Sequence, residues 1–272
     1  MGQAADRWRE DLASWAIPDS ILKAAPESPW TFPVELFAGR ADAAARQFEP
    51  TPSNRRALEA LPEHGSVLDV GCGAGAASLP LAGRAGRLVG VDSSGPMLVA
   101  FLDRASAAGV AAEAVEGSWP DAADDIDAAD VAVCHHVFYN APDLVSFAEA
   151  LTSKARRRVV VELTARHPMS NLNDLWRRFH GLDRPERPTA DDAVAVLREA
   201  GLDPDREDWE SPGAGGFARR EDLVAFVRRR LCLPAERDAE VADALGGSIV
   251  ERSDGFGFPS RPVVTLWWPG AA

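Results

Sequence analysis

The chain is poor in several residues whose scarcity narrows its class. Cysteine and methionine occur three times each and tyrosine once in 272 residues. Cys72, Cys134 and Cys232 are far apart and odd in number, which excludes a disulfide framework and predicts three reduced thiols in a cytoplasm. Cations are scarce as well. Lys and Arg number 29 against 42 Asp and Glu, for a net charge of −13, and only Lys23 and Lys154 are lysines. Such a surface repels phosphate backbones and anionic membranes, so DNA and membrane partners are not expected. No run approaches the roughly 18 consecutive apolar residues of a membrane span. Met1 to Trp8 lack the apolar stretch of an export signal, and Asp6 stands where a myristoylation pattern requires Ser or Thr. With 46% hydrophobic and 26% charged residues, the composition is that of an ordinary globular protein, which excludes disordered and collagen-like chains.

What is present is alternation. Short apolar runs at Val67–Val70, Leu88–Val91, Ala111–Val115, Val131–Cys134 and Val159–Leu163 are separated by helical patterns. One of these has Met97, Leu98, Phe101 and Leu102 on one face. Continuous apolar strands between helices predict a parallel sheet buried on both faces, an α/β doubly wound fold. The flanks differ. Residues 1–60 predict helices near 3–15 and 35–47 around a Trp- and Pro-containing loop. Residues 165–247 read as mainly helical, with a short strand at Arg206–Glu210, and the chain finishes on a strong strand, Val263–Trp268, expected to return antiparallel at the sheet edge. The organisation expected is a helical cap over 1–60, a nucleoside-binding core over 61–165 and a helical addition with closing strands over 166–272.

The most informative stretch is Asp69-Val70-Gly71-Cys72-Gly73-Ala74-Gly75, where a strand runs into glycines and a helix is predicted to open at Ala76. Glycines permit a tight turn and close approach of backbone N–H groups to a ligand. A second strand ends in Asp92, whose carboxylate can accept from both hydroxyls of a ribose. Gly71, Gly73 and Ala76 also satisfy a dinucleotide pattern, which alone is weak. Asp69 before the glycines opposes an anionic pyrophosphate and suits a ligand carrying an ammonium and a sulfonium. Helix capping by Asp92, and turn stabilisation by Asp69, are the plain alternatives.

Asp69 to Gly75 resembles motif I of the class I S-adenosylmethionine-dependent methyltransferases. Val91-Asp92-Ser93-Ser94-Gly95-Pro96-Met97-Leu98 is similar to that family's second-strand motif. The resemblance spans about residues 65–165 and implies a mostly parallel seven-stranded Rossmann-like sheet with helical N-terminal and C-terminal additions. It implies S-adenosylmethionine as cofactor, with Asp69 toward the methionine amino group and Gly71, Cys72, Gly73 and Gly75 along the cofactor. Asp92 falls on the ribose, and Ser93 and Met97 beside the adenine. Gly117, Ser118 and Trp119 stand where relatives carry a tripeptide next to the adenine, with Ser118 in place of the usual acid.

The loop after the fourth strand reads Cys134-His135-His136-Val137-Phe138-Tyr139-Asn140. An imidazole at the ligand edge of a parallel sheet can act as general base, which makes His135 and His136 the candidate catalytic residues. Consecutive extended residues point oppositely, so at most one is expected to face an acceptor. Tyr139 is expected to pack beneath the loop. Arg166 and His167 are candidates for binding an acidic group, or for surface pairing. Trp176, Phe179 and His180 are core or lid, and Arg228-Arg229-Arg230 reads as solvated surface. The histidine spacing matches no zinc site. The function expected is methyl transfer to oxygen or nitrogen of a small organic acceptor. A nicotinamide-dependent oxidoreductase and a non-catalytic binding protein of the same fold are the alternatives.

Overall fold

The computed structural model describes residues 2–30, 39, 41, 42, 49–212, 216–252 and 255–271. The apolar runs become β1 (Gly65–Val70), β2 (Ala85–Asp92), β3 (Ala111–Glu116), β4 (Ala129–His135) and β5 (Ala155–Thr164). With β6 (Asp205–Ser211) and β9 (Arg261–Pro269) they form one seven-stranded sheet of order β3-β2-β1-β4-β5-β9-β6. Strands β1 to β5 pair in parallel, and β9 runs antiparallel to both β5 and β6. β7 (Val250–Arg252) and β8 (Gly255–Gly257) make a separate two-stranded ribbon. The expected doubly wound α/β sheet is what forms.

Alternation of strand side chains sorts the core into two layers. On one face Leu68, Val70, Val89, Ala132, Val159 and Val161 pack with α1 (Gln3–Ala13), α5 (Leu144–Ser153) and α7 (Ala190–Glu199) through Trp8, Phe147, Leu151, Val196 and Leu197. On the other, Val67, Leu88, Val131, Val133 and Val160 meet Ala57 and Leu61 from α3 (Pro52–Ala60) and its end, and Leu98, Phe101 and Ala105 of α4 (Gly95–Ala107). Each fully buried large side chain here contributes about 1.5–3 kcal/mol relative to exposure. α3 starts on a capping box in which Thr51 and Asn54 exchange bonds, with Pro52 at its first position, where the missing N–H costs nothing. A third cluster lies outside the sheet. It joins Ile17, just before α2 (Asp19–Ala24), to Trp176 of α6 (Asn173–His180), Val227 of α8 (Arg220–Arg230) and Val241 of α9 (Asp238–Leu245).

Four expectations are corrected. The glycine turn does not open into an α-helix: turns lead to one 3₁₀ turn, Leu79–Leu81, and β2 begins at Ala85. Pro80 donates no N–H, and the connection is too short to rebuild a helix beyond it. The final strand is not an edge. β9 is inserted between β5 and β6, and the charged β6 takes the edge, where alternating exposure suits its sequence. Leu102 is exposed, its expected place on the buried face being filled by Ala105. Arg228 and Arg230 are buried rather than solvated; Arg228 is satisfied by Glu27 at 2.5 Å, Asp238 at 3.1 Å and the Leu233 carbonyl at 3.1 Å. The helix expected over 35–47 lies almost wholly outside the described residues; 39, 41 and 42 are helical. No helix among the described residues is long and apolar enough to cross a membrane.

Candidate functional site

The C-terminal ends of β1, β2, β4 and β5 converge on the glycine turn. Backbone N–H groups of Gly71 and Cys72 both donate to Val91 O, at 2.8 and 3.0 Å, which ties the turn to the end of β2. The first two glycines have separate reasons to lack a side chain. Gly71 (φ +70°) would drive a Cβ to within 2.4 Å of Val137 Cγ2, so the loop after β4 packs directly on it. Gly73 (φ +51°) would meet nothing within 4 Å, so its backbone faces open space. Gly75 lies against Phe101 and Leu79. The Cys72 thiol is buried and pushed up in pKa by desolvation.

The two acids flank this turn differently. Asp92 accepts from the Gly73 N–H through Oδ2 and from the Ser94 N–H through Oδ1, both at 2.9 Å. Each oxygen keeps a lone pair, so the carboxylate can still accept two hydroxyl protons. The helix cap anticipated as the plain alternative for Asp92 is not its role: Ser94 is the N-cap of α4, and the Asp92 bond to the Ser94 N–H braces the turn before it. Asp69 is fully buried. Its Oδ2 accepts from Ser78 Oγ at 2.6 Å, while Oδ1 has no partner. Burial raises its pKa to about 7, with Ser78 opposing and the Asp92 charge adding to the rise. An unpartnered buried carboxylate oxygen calls for a donor, directly or through water.

At the neighbouring strand ends lies a buried polar row. Glu162 on β5 pairs laterally with His135 on β4 and Thr265 on β9. His136 sits in the left-handed region (φ +61°), a strained conformation for a non-glycine residue. Two contacts hold it there: its N–H donates to Glu162 O at 2.6 Å, and its Nε2 lies 3.1 Å from Glu162 Oε1. Glu162 Oε2 accepts from Ser53 Oγ of α3 at 2.6 Å, Ser53 Oγ in turn accepts from the Thr265 hydroxyl at 2.7 Å, and Trp209 Nε1 donates to that threonine at 3.0 Å. Burial opposes ionisation of Glu162, but His135, His136 and Ser53 outweigh it and hold the carboxyl at about 2. His135 is partly buried, with its Nε2 enclosed and unpartnered and its Nδ1 3.9 Å from Glu162 Oε2, and desolvation lowers its pKa.

Residues 67–157 match the family described as "Methyltransferase domain". Over these residues the chain carries a methyltransferase domain. Among solved structures, the YcgJ protein of Bacillus subtilis is similar at 16% identity, covering 81% of this chain and 98% of that one, with a TM-score of 0.53. A candidate methyltransferase from Bacillus halodurans is similar at 14% identity, covering 81% of this chain and 97% of that one, also at 0.53. A methyltransferase from Geobacter sulfurreducens in complex with S-adenosyl-L-homocysteine is 19% identical over 86% of this chain and 98% of that one, with a TM-score of 0.49. No curated protein matches the sequence. The open backbone at Gly73, the free lone pairs of Asp92 and the unpartnered oxygen of Asp69 fit S-adenosylmethionine, the cofactor that the sequence resemblance implies.

The remaining expected residues of the methyltransferase fall into two groups. Ser93 and Ser118 are exposed at the ends of β2 and β3, Met97 is buried in the first turn of α4, and the Gly117 N–H donates to Asp92 O at 3.0 Å. Trp119 spends its indole N–H on Phe147 O at 3.1 Å and packs edge-on to that ring. Tyr139 packs as expected, donating to Thr164 O at 2.7 Å and stacking on Trp8. Arg166 is exposed, whereas His167 is buried, stacked on Trp15 at 3.9 Å and lowered to about 4 by desolvation and Arg184, which makes it a neutral packing group. Trp176 is core. Glu162 and Ser53 were missed. The legible signal was a lone acid inside the run Val159-Val160-Val161-Glu162-Leu163; Ser53 carried none.

Proposed function

We propose that this methyltransferase transfers the methyl group to oxygen or nitrogen of a small organic acceptor in a reducing cytoplasm, without nucleic-acid or membrane partners. The observation that carries the reading is the turn at Gly73, open to solvent space and bordered by two carboxylates with unused acceptor capacity. When bound, the cofactor supplies an activated methyl on a sulfonium, so the protein has chiefly to orient, exclude water and handle a proton. Asp92 would hold the ribose hydroxyls and Asp69 would face the ammonium. Gly71, Cys72, Gly73 and Gly75 would follow the cofactor's length, with Ser93, Met97, Gly117, Ser118 and Trp119 toward the adenine. The net charge of −13 and the three free, buried cysteines support the small-molecule and compartment parts of the reading.

Calorimetric titration with S-adenosylmethionine, S-adenosylhomocysteine, NAD and NADP tests it. Binding of the first two alone is the expected result; binding of a nicotinamide nucleotide alone overturns it. The same titration tests Asp69. An ammonium near this carboxyl lowers its pKa from about 7, so binding near pH 6 releases a proton. Affinity should then rise with pH up to about 7 and level off. The heat should differ between buffers of unequal ionisation enthalpy, by up to about one proton. Equal heats in phosphate and imidazole at pH 6 would remove Asp69 from the ammonium site.

A further inference from the structure

We propose that His136 is the general base for an acceptor hydroxyl of phenol or enol acidity, and that Glu162 is the positioning residue that fixes its tautomer. This rests on the methyltransferase reading above. Glu162 grips His136 at both backbone and ring, at 2.6 and 3.1 Å. With the carboxylate accepting from Nε2–H, the lone pair is left on Nδ1, on the opposite side of the ring. The His136 side chain is 40% exposed, so a ligand can reach the ring while it stays held. Val137, its chain neighbour, touches Gly71 of the cofactor turn, which brings the imidazole beside the reacting end of the site.

The arrangement behind Glu162 is more than a loop pin requires. A buried carboxylate is costly unless its lone pairs are used, and here α3, β9 and β6 supply the chain Ser53, Thr265 and Trp209 that uses them. His135 does not share the role: its Nε2 is enclosed without a partner, and its Nδ1 lies beyond hydrogen-bond distance of Glu162. The charged and titratable groups facing the pair are His135 from β4 and Arg261 from β9.

The chemistry of a held imidazole selects the acceptor. A carboxylate acceptor has no proton to lose and would be repelled by Glu162. A phenol, with a pKa near about 10, keeps its proton at neutral pH and must release it as it is methylated. In that step the acceptor oxygen forms the O–CH3 bond and the S–CH3 bond breaks with its electron pair staying on sulfur. The hydroxyl proton passes to His136 Nδ1 and then to water.

Nitrogen NMR of histidine-labelled protein gives the first test, together with S-adenosylmethionine calorimetry on the same samples. The expected result is the Nε2–H tautomer for His136 and a shift of the tautomer balance toward Nδ1–H in Glu162→Gln, with cofactor affinity within about twofold of wild type. An Nδ1–H tautomer in the wild type, or a tautomer balance unmoved in Glu162→Gln, overturns the pair. Failure of the wild type to bind S-adenosylmethionine instead overturns the methyltransferase reading beneath it. The second test follows tritium from methyl-labelled S-adenosylmethionine into phenol, catechol and 4-hydroxybenzoate, against aniline and benzylamine. Label in a phenol supports the acceptor class, and no label in any phenol overturns it. On the best phenol, His136→Ala should lose about a hundredfold in kcat. Glu162→Gln should lower kcat while KM stays within about twofold, and Glu162→Asp should restore kcat in part. Full kcat in His136→Ala overturns the base role.

Discussion

Asp92→Ala is expected to weaken S-adenosylmethionine binding by at least about a hundredfold, read by calorimetry. Hydrogen bonds to a charged acceptor are each worth about 1.5–3 kcal/mol. Two ribose hydroxyls on one carboxylate therefore amount to about 3–6 kcal/mol, and tenfold in affinity is about 1.4 kcal/mol. Asp92 also accepts from the Gly73 and Ser94 N–H groups, so alanine removes a support of the turn along with the ligand contact. Asp92→Asn separates the two. Its amide oxygen can keep one backbone bond, but the charge and one acceptor are lost, so an intermediate loss of affinity with a near-native melting temperature is expected. Affinity of Asp92→Ala within about threefold of wild type would leave the carboxylate as a turn residue and move the ribose elsewhere.

The strands that build the sheet were legible because their side chains are buried on both faces, and a run such as Val67–Val70 has few other uses. β6 was legible too, despite its charges, because an edge strand needs burial on only part of its surface. The place of β9 was not: which strand is outermost depends on pairings between β5, β9 and β6 that local pattern does not encode. The missing helix after Gly75 was written in Pro80 and in the short reach to Ala85, but apolar spacing favoured a helix and outweighed them. In the candidate site, the glycines and the acids Asp69 and Asp92 are local in sequence and were found. The Glu162 network is not local. Its link to Ser53 spans 109 residues, and a serine at the start of a helix looks like a capping residue until β5 lies beneath it. Arg228 shows the same limit, since its burial depends on Glu27, far away in the chain.

Gly71→Ala and Gly73→Ala are expected to fail in opposite ways, although both glycines have positive φ in one turn. At Gly71 the methyl group would meet Val137 Cγ2 at 2.4 Å. The left-handed conformation costs about 1–2 kcal/mol for a residue with a Cβ, and overpacking at a closed position costs about 1–3 kcal/mol more. Gly71→Ala should therefore lose about 2–5 kcal/mol of stability, measured by urea unfolding. Relief of the overlap must push Val137, which carries His136 with it, so the loop after β4 should shift as well. At Gly73 nothing lies within 4 Å, so only the conformational cost of about 1–2 kcal/mol applies to the fold. There the methyl group projects into the space where the cofactor's backbone contacts form, and affinity for S-adenosylmethionine should drop by about tenfold or more. A large unfolding penalty at Gly73 with intact affinity would mean that the open side of the turn is not the ligand side. If both variants instead lost only stability, the turn would be a structural corner, and the two carboxylates beside it would need another partner.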